Sequence, residues 1–128
     1  VAEGLFAMAA LFDEHRLPEV VSGLPRDPDH PHPGIYPKSC SPQAWSASAI
    51  IALIQALLTF RPVAPLGAIV VDPVLPEWLP DLVLEGVQVG KARFDLSVRR
   101  GRGGRARVRT RGDRITVLRW SPLQARGC

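Results

Sequence analysis

Glu19 is the residue whose surroundings most invite chemistry. It sits in Arg16-Leu17-Pro18-Glu19-Val20. Proline fixes its own φ and steers the residue before it away from helix, so the backbone is stiff where the carboxylate emerges. Polar and aromatic groups follow in Tyr36-Pro37-Lys38-Ser39-Cys40-Ser41-Pro42-Gln43-Ala44-Trp45. A rigidly held carboxylate can act as a general base when an acid stands opposite it. Inverting glycoside hydrolases keep the two carboxyls about 6.5–9.5 Å apart, so that a water fits between. Taken alone, a Glu beside Pro is more often a solvated loop residue or an ion-pair partner. Gln43 and Trp45 can hydrogen-bond and stack on a sugar ring, or equally complete a helix cap and fill a core. Tyr36 and Arg16 could line the same pocket, although a structural role is the commoner one for each. Cys40 reads as a small buried apolar residue. The run Asp27-Pro28-Asp29-His30-Pro31-His32-Pro33 matches no metal-ligand spacing and reads as a solvated loop.

The elements that would position these residues follow from periodicity. Ala2 to His15 predicts a helix ending near Arg16, with Leu5, Phe6, Ala9, Leu11 and Phe12 on one face. Residues 17–41 form a long loop with six prolines, expected to be ordered and functional. Ser41 as N-cap and Pro42 at the first helical position predict a second helix from Pro42 to about Phe60, stopping before Pro62. No charge interrupts Gln43 to Phe60. A helix apolar nearly all round wants neighbours on most sides. Beyond Pro62 the pattern turns to strands: Ala68–Val71, Leu82–Val89 and Phe94–Val98, with Gly90 at a tight turn. A terminal hairpin is expected from Arg105–Arg111 and Arg114–Trp120, turning at Gly112-Asp113.

Composition bounds the class. The 128 residues amount to one ordinary domain, and a 46% hydrophobic share argues against a disordered chain. The net charge of +4 is local, because eight arginines fall between Arg99 and Arg114. This segment could contact phosphates, but it lacks interleaved aromatics. Arg105, Arg107, Arg109 and Arg111 alternate with smaller residues, which favours an edge strand with one charged face over a nucleic-acid binder. Cys40 and Cys128 make no disulfide framework, so a reducing, cytoplasmic setting is expected. The longest apolar run falls short of the roughly 20 residues that span a bilayer, so no membrane is expected as a partner. The chain opens on Val1 within a helical pattern, which suggests a fragment or a processed product.

The order of motifs carries a further reading. Arg16–Val20, then Tyr36–Ala49, then Asp72–Arg100 with its proline-flanked Trp78, resemble the C-terminal end of glycogen-debranching enzymes, and in particular the bacterial amylo-α-1,6-glucosidase-like proteins. The likeness covers roughly residues 3–100. Val20-Val21-Ser22 and Lys38-Ser39 depart from the family pattern.

The resemblance implies an α+β chain: residues 1–62 as terminal helices of an (α/α)6 barrel, and residues 63–128 as a small antiparallel β appendage. It implies inverting hydrolysis of an α-glucan, at α-1,6 branch stubs, with no metal or organic cofactor. Glu19 matches the family's general base, and Gln43, Trp45, Tyr36 and Arg16, from their chemistry and position, are the candidate substrate contacts beside it. The general acid, an Asp, has no counterpart here, since Asp27 and Asp29 lie in a variable loop. The chain alone is then expected to be inactive. Its partners would be the remainder of the barrel or a self-associating copy covering helix 42–60. Two rivals remain: a non-catalytic glycan-binding or docking module, and a nucleic-acid binder using residues 99–114.

Overall fold

The computed structural model describes residues 1–101 and 105–120. The described residues form two helices and six strands: α1 (Ala2–Ala9), α2 (Ala44–Leu58), β1 (Arg61–Val63), β2 (Ala68–Val71), β3 (Asp81–Val89), β4 (Ala92–Arg99), β5 (Arg107–Gly112) and β6 (Thr116–Arg119). The chain clusters into two units, Val1–Ile54 and the remainder from Gln55.

This overturns the expectation of terminal helices of an (α/α)6 barrel. The structure is a sheet fold with two helices, and the distribution of buried side chains gives the reason. Each helix fully buries a single residue, Ala9 in α1 and Leu58 in α2. The largest fully buried side chains are Phe94, Leu58, Ile69, Leu96, Val71 and Val98, nearly all from strands. At about 1.5–3 kcal/mol for each large side chain removed from water, the main apolar stabilisation lies in the β unit.

In the first unit, α1 stops well before Arg16. It has no side-chain N-cap, no basic residue in its last turn, and a glycine at position 4, so local support is slight. Past it the bonds tighten to three-residue steps, with Leu11 N–H donating to the Met8 carbonyl at 2.9 Å. Glu14 and His15 then take positive φ of 52° and 58°, which no helix continues through. The long loop is held at a neck. Val21 and Ile35 form an isolated antiparallel bridge. Ser22 N–H donates to the Gly34 carbonyl at 2.8 Å, and Gly34 N–H donates back to Ser22 Oγ at 3.1 Å.

α2 begins at Ala44, later than expected. Gln43, rather than Ser41, caps it: the Gln43 carbonyl accepts from Ala47 N–H at 2.9 Å, and Gln43 Oε1 accepts from Ala44 N–H at 2.9 Å. The helix closes with Thr59 at a φ of 50°. Phe60 N–H donates to the Gln55 carbonyl at 3.0 Å and Thr59 N–H to the Ala56 carbonyl at 3.1 Å, the paired bonds of a Schellman ending.

The second unit holds two three-stranded sheets. One has the order β1-β2-β6, the other β3-β4-β5. The terminal hairpin expected for residues 105–120 is absent. β5 pairs antiparallel with β4, while β6 runs parallel to β2. Ile115, just before β6, is buried, and Thr116 N–H donates to the Gly67 carbonyl at 2.9 Å, so this segment joins the first sheet. The Gly90 turn does connect β3 to β4, with Val89 opposite Ala92 and Gly90 at a φ of 61°. β5 is an edge strand. Among the described residues, no helix is long and apolar enough to cross a membrane. Cys128 and Arg102 lie outside the described residues.

Candidate functional site

The two motif segments of the first unit meet at a short ladder. Gln43 N–H donates to the Leu17 carbonyl at 3.0 Å, and Glu19 N–H donates to the Cys40 carbonyl at 2.9 Å. Cys40 N–H returns a bond to Glu19 Oε2 at 3.2 Å. The backbone of 17–19 is thereby fixed against 40–43 by the residues that also start α2. Leu17 is buried and anchors the ladder, while Glu19 is exposed. One carboxylate oxygen is spent on the Cys40 amide, and Oε1 makes no hydrogen bond among the described residues. A carboxylate oriented through one oxygen presents the other to water.

The remaining expected contacts divide. Trp45 lies in the first turn of α2, with 65% of its surface exposed. It is therefore a free aromatic face and not a core residue. Tyr36 is likewise exposed, in a turn closed by Ser39, whose N–H and Oγ both donate to the Tyr36 carbonyl. Gln43 acts as the helix cap with its side-chain oxygen, which leaves its amide nitrogen for other partners. Arg16 pairs with Glu14, on its own turn. Cys40 is exposed, against the expectation of a buried thiol, because its backbone serves the ladder at the surface.

Of the two loop aspartates, Asp27 is occupied within the loop itself. Asp27 Oδ1 accepts from Asp29 N–H at 3.0 Å, from His30 N–H at 2.7 Å, and lies 3.0 Å from His30 Nδ1. Its carboxylate is committed to a turn of its own, the local bonding that Asp favours. No group of three or more metal-ligating side chains gathers among the described residues.

A cleft of the first unit lies away from Glu19. It has a volume of about 530 Å³ and lies between α1 and the loop, lined by Ala7, Met8, Leu11, Leu24, Pro25 and His32 among others. Sequence reasoning missed it, because nothing in the spacing of prolines says how far a loop stands off a helix. A second feature escaped notice on the other unit: the exposed face of β3-β4-β5 gathers Asp81, Ser97, Arg99, Arg107 and Arg109 around a shallow cleft of about 270 Å³. Its signal is present in the alternation of arginines, which reads chiefly as an edge strand and secondarily as a phosphate-contacting segment. Comparison with family models, with curated proteins and with solved structures finds no match for the chain.

Proposed function

We propose that residues 16–45 form one wall of an α-glucoside-hydrolysing site in which Glu19 deprotonates the attacking water. The observation that supports this most is the ladder joining Leu17–Glu19 to Cys40–Gln43, with Glu19 held by one carboxylate oxygen. Preorganisation of that kind is what a general base needs. Exposed Trp45 and Tyr36 offer apolar faces on which a pyranose ring stacks, and Gln43 offers an amide. The leaving oxygen would be protonated by a carboxylic acid from outside this chain, as the resemblance implies. The chain alone therefore releases no glucose from glycogen.

Sugar binding tests the wall without requiring turnover. Isomaltotriose titrated into the ¹⁵N-labelled chain should shift the Trp45 indole and the amides of Glu19 and Cys40 saturably, with Trp45→Ala weakening binding at least about fivefold. Shifts absent from these residues at saturating sugar would remove the proposal.

A second reading rests on α2. Trp45 and Ile51 are 65% and 61% exposed, and Ala44, Ser48, Ala52 and Ala56 are exposed at four-residue spacing along the same helix. An uncharged face of this kind suits a second copy of the chain. Sizing by light scattering decides it: a dimer that Ile51→Glu dissociates supports a docking module, and a monomer at every concentration excludes it.

A further inference from the structure

We infer that the exposed face of the β3-β4-β5 sheet binds a phosphate dianion, free or as a monoester, between Arg107, Arg109 and Arg99. The register places Asp81, Arg99 and Arg107 in one row across the three strands, and Val83, Ser97 and Arg109 in the next. All six line a cleft of about 270 Å³. Strand alternation settles the facing: Phe94, Leu96 and Val98 of β4 are buried, so Ser97 and Arg99 stand on the solvent side.

The charges of these two rows do not balance. Arg99 lies directly opposite Arg107, a like-charge cross-strand pair, which is destabilising by itself. The row's carboxylate, Asp81, reaches Arg99 at 3.9 Å, well beyond a charge-assisted hydrogen bond. Arg107 and Arg109 have no carboxylate partner among the described residues. Three guanidiniums facing one carboxylate leave two positive charges, the complement of a dianion. By contrast, Arg100 at the same end is paired with Glu77 at 3.3 Å. A phosphate seated here offsets the Arg99–Arg107 repulsion, and guanidinium forks match its oxygens in pairs. The Ser97 hydroxyl, between the arginines on the central strand, supplies a neutral donor. Solvent exposure limits the affinity, so binding at millimolar concentration is expected.

The test is an NMR titration of the full chain at pH 8, with ionic strength held constant by chloride. Inorganic phosphate and phenyl phosphate are the two probes. The expected result is saturable shifts at Ser97, Arg107 and Arg109, with at least a tenfold loss of affinity in R107Q/R109Q and none in the control R61Q. Tighter binding of phenyl phosphate would point to an organic phosphomonoester, and equal binding to free phosphate, both within the proposal. Three results would overturn it: shifts that rise linearly and spread over all arginines, a double variant that binds like the parent, or salt-steep binding of random single-stranded DNA with no saturable phosphate response. The unchanged amide spectrum of buried Phe94 and Leu96 in R107Q/R109Q certifies that the variant is folded. If that variant does not fold, R109K takes its place and should weaken binding at least about threefold, parent-like binding being the overturning result.

Discussion

At the scale of single residues, mutation separates the structural bond that Glu19 makes from its proposed role as a base. Its Oε2 accepts the Cys40 amide, and its other oxygen faces water. Glu19→Gln keeps a carbonyl acceptor for Cys40 N–H but loses the base. It should fold with the stability of the parent, within about 0.5 kcal/mol by urea denaturation. Glu19→Ala leaves the Cys40 amide to water, and should cost up to about 1 kcal/mol on the same assay. Cys40 itself gives a handle. Its thiol is exposed, so a maleimide should label the folded Cys128→Ser variant without denaturant. The bulky adduct beside Glu19 should then block isomaltotriose, as the same NMR titration would read. The stiffness at Pro18 and the presence of a helix after Pro42 were legible from residue types. The exposure of Trp45 and Cys40 was not, because whether an apolar residue at a helix mouth is covered depends on segments far along the chain.

At the scale of elements, the strands carry the stability. Leu96 is fully buried at the centre of β4, and Leu96→Ala should cost about 2–5 kcal/mol in chemical denaturation. Gly112 ends β5 at a φ of 119°. A Cβ added there would lie 2.8 Å from the Arg93 carbonyl oxygen and 3.0 Å from Phe94 Cα, both backbone. Gly112→Ala should therefore destabilise by more than about 1 kcal/mol and lower the melting temperature by several degrees. Strands β3 and β4 were readable from alternation, and β2 from a short run of β-branched residues that is buried on both faces. β1 and the parallel pairing of β6 were not. β1 is three residues containing Pro62, a weak strand signal. For β6, the Gly-Asp turn signal pointed to a local hairpin, and the burial of Ile115 with the pairing of Thr116–Arg119 to β2 outweighed it. A local turn preference of a few tenths of a kcal/mol does not compete with burying an isoleucine. α1 fell short for a local reason: its apolar spacing continued to Phe12, but without caps and with Gly4 inside it the backbone did not.

At the scale of the molecule, the chain holds two units with different prospects. The first carries an oriented carboxylate and exposed aromatics. The second carries a stable sheet with an unbalanced arginine row. The barrel expected from motif resemblance gave way because core burial falls in strands, and a likeness of short segments reports local sequence, not the architecture around them. The proposed chemistry survives that correction only as far as Glu19 acts as a base, and a substrate that needs no general acid isolates this step. α-D-Glucosyl fluoride is such a substrate, because fluoride departs without a proton from a carboxylic acid. The chain should hydrolyse it at least about tenfold faster than the Glu19→Gln variant, and release β-glucose, the product of inversion. Equal rates for the parent and the folded Glu19→Gln variant, or α-glucose as the first product, would contradict the account.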